Sequence, residues 1–94
     1  MKKFELFPKE WVANHGGREI RVRNSWSHGM RLYVDGDCRA ATSRVFALSR
    51  SKPVLSHQVV TGDDSFLVEV FCYAMLDVKA KIVVDGRQIA GDNF

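Results

Sequence analysis

Ninety-four residues with a formal net charge of +3 and a pI near 9.1 make a mildly basic chain, long enough for one hydrophobic core and too short for two. Hydrophobic residues at 46% and charged residues at 27% are ordinary globular proportions and exclude a wholly disordered chain. No apolar run reaches the ~20 residues of a membrane helix, and the small basic excess permits an anionic partner without requiring one. The expectation is one domain over 1–94 with no membrane segment.

The opening MKKFELFPKEWV carries two lysines, but Glu5, Pro8, Lys9 and Glu10 interrupt any apolar stretch behind them. No secretory signal is read, and a cytoplasmic location is the expectation. PKEWVAN, followed by His15 and Gly16-Gly17, reads as a single helical turn with proline at its start and glycine at its end. Cys38 and Cys72 lie far apart and show neither CxxC nor CxxH spacing, which argues against a zinc site or a redox pair. Both are expected to be reduced thiols that pack as small core residues.

From residue 18 the period changes to two. In REIRVRNSW (18–26) Ile20, Val22 and Trp26 fall on one face, with Asn24 among them, and Glu19, Arg21, Arg23 and Ser25 on the other. SHG turns the chain. Met30, Leu32 and Val34 then alternate with Arg31, Tyr33 and Asp35, and Asp35-Gly36 is a strong hairpin signal because both turn positions need positive φ.

RVFALSR and PVLSHQVV read as further short strands, with Pro53 opening the second and Gly62-Asp63-Asp64 closing it. SFLVEVFCYA (65–74) is a β-rich run, followed by a loop around Met75 to Asp77. Val78, Ala80, Ile82 and Val84 alternate with Lys79, Lys81 and Val83 before Asp85-Gly86 turns the chain into RQIA. The two Asp-Gly turns stand 50 residues apart, at 35 and 85. Duplication of a strand-turn-strand unit explains that spacing, and so does independent selection of Asp-Gly by two tight hairpins. Seven or eight short strands with regular turn signals predict an all-β fold, a single antiparallel β-sandwich.

REIRVRNSWSHGMRLYVDG and, later, VKAKIVVDGRQI give a charged strand, a loop with glycine and a strand ending in Val-Asp-Gly. Over residues 18–90 this order resembles the β-sandwich domain of the Fas apoptotic inhibitory molecule family. Phe46 and Leu48 are similar in placement to apolar positions of that family, while Arg44 stands near where an aromatic is expected. The resemblance implies a non-enzymatic sandwich that works through protein contacts. It supplies no catalytic residue.

The residues themselves point away from catalysis. NHGGRE (14–19) has the glycines of an oxyanion loop, but no GxSxG elbow and no βα alternation accompany it. His15, His28 and His57 are isolated from one another, and no pair has the i, i+2 or i, i+4 spacing that makes a metal site on one element. Asp63-Asp64 reads as a solvated turn. No enzyme activity, metal or cofactor is expected; the competing class, a small enzyme or metal-binding protein, needs a pocket that gathers at least two of His15, His28 and His57.

Two faces remain. Parity puts Arg21 and Arg23 beside Arg31 and Tyr33 on the outer face of the 19–34 hairpin, and like charges facing across paired strands destabilise unless neutralised. Either internal acids such as Glu19 or Glu69 pair with them, or an anionic partner does. A protein segment is the favoured partner and a nucleic-acid backbone the alternative. On SFLVEVFCYA, Phe66, Val68, Val70 and Cys72 take one face, leaving Leu67, Phe71 and Tyr73 beside Glu69 on the other. That second face is too apolar for open solvent. It is covered either from within the chain, for example by Phe4, Phe7 and Trp11, or by a second copy in a homodimer.

Overall fold

The computed structural model describes residues 9–25, 29–42, 52–74 and 78–92. These form eight strands: β1 (Lys9–His15), β2 (Arg18–Ser25), β3 (Gly29–Val34), β4 (Asp37–Thr42), β5 (Leu55–Thr61), β6 (Asp64–Ala74), β7 (Val78–Val84) and β8 (Arg87–Gly91). Strand order follows the chain in two four-stranded antiparallel sheets, β1-β2-β3-β4 and β5-β6-β7-β8. Among the described residues no helix is long and apolar enough to cross a membrane. RVFALSR, Trp26 to His28 and residues 75–77 lie outside the described residues.

The first strand corrects the helical reading of PKEWVAN. Trp11 and Ala13 pack against the core while Glu10, Val12 and Asn14 are exposed, a period of two. Gly16 and Gly17, both at positive φ, close a hairpin onto β2 and do not end a helix. A seven-residue segment cannot bury a helical stripe as well as it fills the open edge of a sheet.

Alternation elsewhere fixes the core. Ile20, Val22, Met30, Leu32 and Val34 of the first sheet cluster with Leu55, Val59, Phe66, Val68, Val70, Cys72, Ala80, Ile82 and Val84 of the second, all buried. The sheets are also tied near their rims. Asp92 Oδ2 accepts both the Ala80 N–H (2.9 Å) and the Trp11 indole N–H (3.2 Å), and His15 meets the Phe66 ring edge-on at 4.7 Å. Arg18 donates to the Val60 carbonyl at 3.4 Å. Trp11 is thereby committed to the core and to Asp92, and it does not cover Leu67, Phe71 and Tyr73. Phe4 and Phe7 fall outside the described residues.

The halves repeat one device in detail. Asp35-Gly36 and Asp85-Gly86 both turn with two positive φ angles, 51° and 86° against 48° and 84°, as a tight hairpin of this hand requires. Each is followed by a bulge, at Arg39 opposite the step from Leu32 to Tyr33 and at Ile89 opposite the step from Ile82 to Val83. Each turn aspartate also exchanges bonds with the strand beyond its own hairpin. Asp35 Oδ1 accepts the Glu19 N–H (2.8 Å) while the Asp35 N–H donates to the Glu19 carbonyl (2.9 Å). Asp85 does the same with Leu67, at 2.9 and 3.0 Å. Selection of Asp-Gly by two separate hairpins does not require the shared bulge or the shared bond to the third strand, so the repetition extends well beyond the turn residues.

One expectation fails just after the first Asp-Gly turn. Cys72 is buried, and desolvation raises its thiol pKa, but Cys38 is exposed. The turn sets Cys38 opposite the outward Tyr33, and only after the bulge at Arg39 does Ala40 point inward opposite Leu32.

Gly91 is required for a different reason from the turn glycines. At φ 107° it lies so close to β7 that a Cβ there would come within 2.5 Å of the Lys81 Cα and nearer still to the Ala80 carbonyl oxygen. Gly36 has nothing within 4 Å of a built Cβ, so Gly36→Ala should cost about 1 kcal/mol of backbone strain alone. Gly91→Ala should cost clearly more in a denaturant titration, and equal losses would contradict this packing. Asp35 predicts a pH effect. Its carboxyl pKa is lowered, first by the Glu19 N–H and then by Arg18. A depressed folded-state value contributes stability that is full above the ordinary carboxylate pKa and is lost as pH falls through the folded value. Asp35→Asn should therefore melt below wild type at neutral pH, with the gap closing only in acid below the usual carboxylate range.

Candidate functional site

The outer face of the first sheet carries the arginines as parity requires. Register makes two rows across it: Val12, Arg21, Tyr33 and Cys38 in one, and Glu10, Arg23, Arg31 and Ala41 in the next. Arg21, Arg23, Arg31 and Tyr33 therefore share one surface, with Arg21 directly across from Tyr33 and Arg23 directly across from Arg31.

The acids on this face are Glu19 and Glu10. Arg21 donates through Nε (3.3 Å) and one terminal nitrogen (3.2 Å) to the two oxygens of Glu19, and through the other terminal nitrogen to Glu10 at 2.8 Å. Its pKa is raised, chiefly by the Glu19 hydrogen bonds and charge. The second Glu10 oxygen lies 3.5 Å from Arg23, whose side chain is 49% exposed. Glu19 was legible as a partner from its parity. Glu69 was not a partner at all: it stands on β6 in the other sheet, opposite Ser56 and Val83. Glu10 is hidden in the sequence because PKEWVAN carries the proline and glycines of a helical turn. The alternation of Glu10, Val12 and Asn14 around Trp11 and Ala13 is the signal that would have found it.

Together these contacts form a string of alternating charge, Glu19, Arg21, Glu10, Arg23, that ends one carboxylate short. Arg31 comes next, facing Arg23 across the strand pair. Its Nε is enclosed by protein and finds no hydrogen-bond acceptor among the described residues. An enclosed donor left unmade costs on the order of 1–3 kcal/mol, more for a charged group. Among the described residues, Arg31 Nε is the buried side-chain donor of this face that has no acceptor.

The second sheet's outer face carries Leu67, Glu69, Phe71 and Tyr73 on β6, all half-buried. Lys81 lies over the Phe71 ring at 5.6 Å, and Val83 in the same layer is 8% exposed. His15 is committed to Phe66, His57 lies half-buried on β5, and His28 falls outside the described residues. Among the described residues no three of His, Cys, Asp and Glu gather closely enough to hold a metal ion.

Comparison with known protein families, curated proteins and solved structures finds no match.

Glu10→Gln removes the carboxylate shared by Arg21 and Arg23. Because both ion pairs are solvent-exposed, the loss in unfolding free energy should stay within about 1 kcal/mol and shrink as salt is added. A larger, salt-independent loss would mark Glu10 as a buried structural group.

Proposed function

We propose that this chain is a non-enzymatic, single-domain β-sandwich of the kind it resembles in the Fas apoptotic inhibitory molecule family, its two sheets packed face to face. Its function on this reading is to bind an acidic segment of a protein partner on the Arg21, Arg23, Arg31 and Tyr33 face. The shared core of the two sheets and the ties at Asp92, His15 and Arg18 support the sandwich. A cytoplasmic location belongs to the same reading, and the free thiols of Cys38 and Cys72 accord with it.

One observation carries the binding site: the enclosed, unsatisfied Arg31 Nε beside Arg23. A carboxylate entering between these two arginines continues the alternating string and relieves their like-charge contact. Arg21 is already held by two glutamates and acts as the fixed neighbour that keeps Glu10 against Arg23. Tyr33 offers an aromatic face beside the guanidinium groups. A nucleic-acid backbone is the competing occupant. The paired glutamates leave only a small positive excess here, and a phosphate chain needs several open cations in a row.

Arg31→Met tests this directly. It keeps an unbranched apolar stem as far as the position of Nε, removes the unsatisfied donor and should leave the melting temperature unchanged or raised. Wild type should bind an oligoglutamate peptide in an NMR titration, with Arg23 and Arg31 side-chain signals shifting and affinity falling gently with salt, and Arg31→Met should lose that binding. If Arg31→Met lowers stability by ~1 kcal/mol or more and wild type shows no peptide binding, the arginine is structural. Tighter binding of a single-stranded oligonucleotide than of the peptide, with a steep salt dependence, transfers the site to nucleic acid.

A further inference from the structure

The second sheet presents a face of different character, and we infer that it is a two-fold interface with a second copy of this chain. Three rows cross it: Glu69 with Val83, Phe71 with Lys81, and Tyr73 with Lys79. Glu69 sits between Leu67 and Phe71 along its strand and beside Val83 across it. It makes no ion pair with the described residues. Lys79 is exposed and likewise makes none with them. One acid and one base thus stand on opposite sides of an aromatic row.

That arrangement is complementary to itself. Rows are roughly 7 Å apart and strands about 4.8 Å apart. A two-fold axis lying in the interface, running nearly across the strands and passing between Phe71 and Lys81, carries each Glu69 over the other copy's Lys79 and stacks the two Phe71 rings near the axis. The result is isologous, so each charge pair occurs twice. An unrelated partner would need only a matching apolar face, whereas this placement of charge is satisfied by the same surface turned over.

The size of the face sets the strength of the association. Four strands about 4.8 Å apart, covered over roughly 20 Å of their length, bury about 400 Å² per copy, near 800 Å² in total and below the ~1,200 Å² of a standard stable interface. The two Lys81 ammonium groups also face each other near the axis, which weakens the contact further. The dimer is therefore concentration-dependent, and the monomer remains folded without it.

Sedimentation equilibrium on the full chain tests the inference without reference to the arginine face. The wild-type weight-average mass should climb from the 10.7 kDa of one chain toward twice that value as concentration rises into the millimolar range. Glu69→Lys and Lys79→Glu should each oppose like charges at both symmetry-related contacts and weaken association by ~10-fold or more. The double variant Glu69→Lys with Lys79→Glu should restore it, while far-UV circular dichroism stays unchanged throughout. A wild type that is monomeric at every concentration overturns the inference, as does a double variant no better than the singles. Because none of these changes touches Arg23 or Arg31, peptide binding on the first sheet reads out separately.

Discussion

The bond between a turn aspartate and the strand beyond its own hairpin is the constraint on which the rest of this structure depends. A tight hairpin fixes two strands against each other and leaves the third free to slip, and a slip of one residue sends every side chain of that strand to the wrong face. Asp35 removes that freedom by exchanging two hydrogen bonds with the backbone of Glu19, and Asp85 does the same with Leu67. The residue that supplies positive φ for the turn thus also sets the register of the neighbouring strand. Once Glu19 is held outward, Ile20 and Val22 must point inward and Arg21 and Arg23 outward.

Because both halves use the device, their outer faces can be compared position by position. Counting from the residue bound by the turn aspartate, Arg21 and Arg23 on β2 correspond to Glu69 and Phe71 on β6. Counting back from the turn, Tyr33 and Arg31 on β3 correspond to Val83 and Lys81 on β7. The inner positions stay uniformly apolar because the shared core accepts nothing else. The outer positions have no such restriction, and one sheet has become an ion-paired surface while the other has become apolar with charge at its margins. A single small frame therefore presents two surfaces with different chemistry, and a contact made on one leaves the other open.

Much of this was legible in the residues. Period-two alternation gave the facing of β2, β3, β6 and β7 correctly, and Asp-Gly located both hairpins, because these signals act over neighbours in the chain. The failures lie where the deciding contact is distant. The strand character of PKEWVAN depends on an open sheet edge and on an indole that reaches Asp92 at the other end of the chain. Glu10 followed that strand out of view. Glu69 was offered to the arginines because alternation says which side of a strand a residue takes, but not which sheet the strand joins. Cys38 reads as a core residue by its type, whereas the two-residue turn sets it opposite the outward Tyr33. The unsatisfied nitrogen of Arg31 lay furthest from reach, since enclosure of one atom depends on every side chain around it.

Arg31 also shows how a fold of this size can hold a group that does not stabilise it. The arginines of the face are not equivalent: Arg21 is pinned by two glutamates, Arg23 shares one of them at longer range, and Arg31 has neither acid. Selection for stability alone would replace Arg31 with a β-branched or aromatic residue, which suits a position between Arg23 and Ala41 at no desolvation cost. An enclosed donor of this kind persists where the surroundings over-determine the fold, and here fourteen buried side chains from both sheets do so. Strand pairing on both sides fixes the backbone of Arg31 between Arg23 and Ala41, which keeps the enclosed Nε beside a second guanidinium.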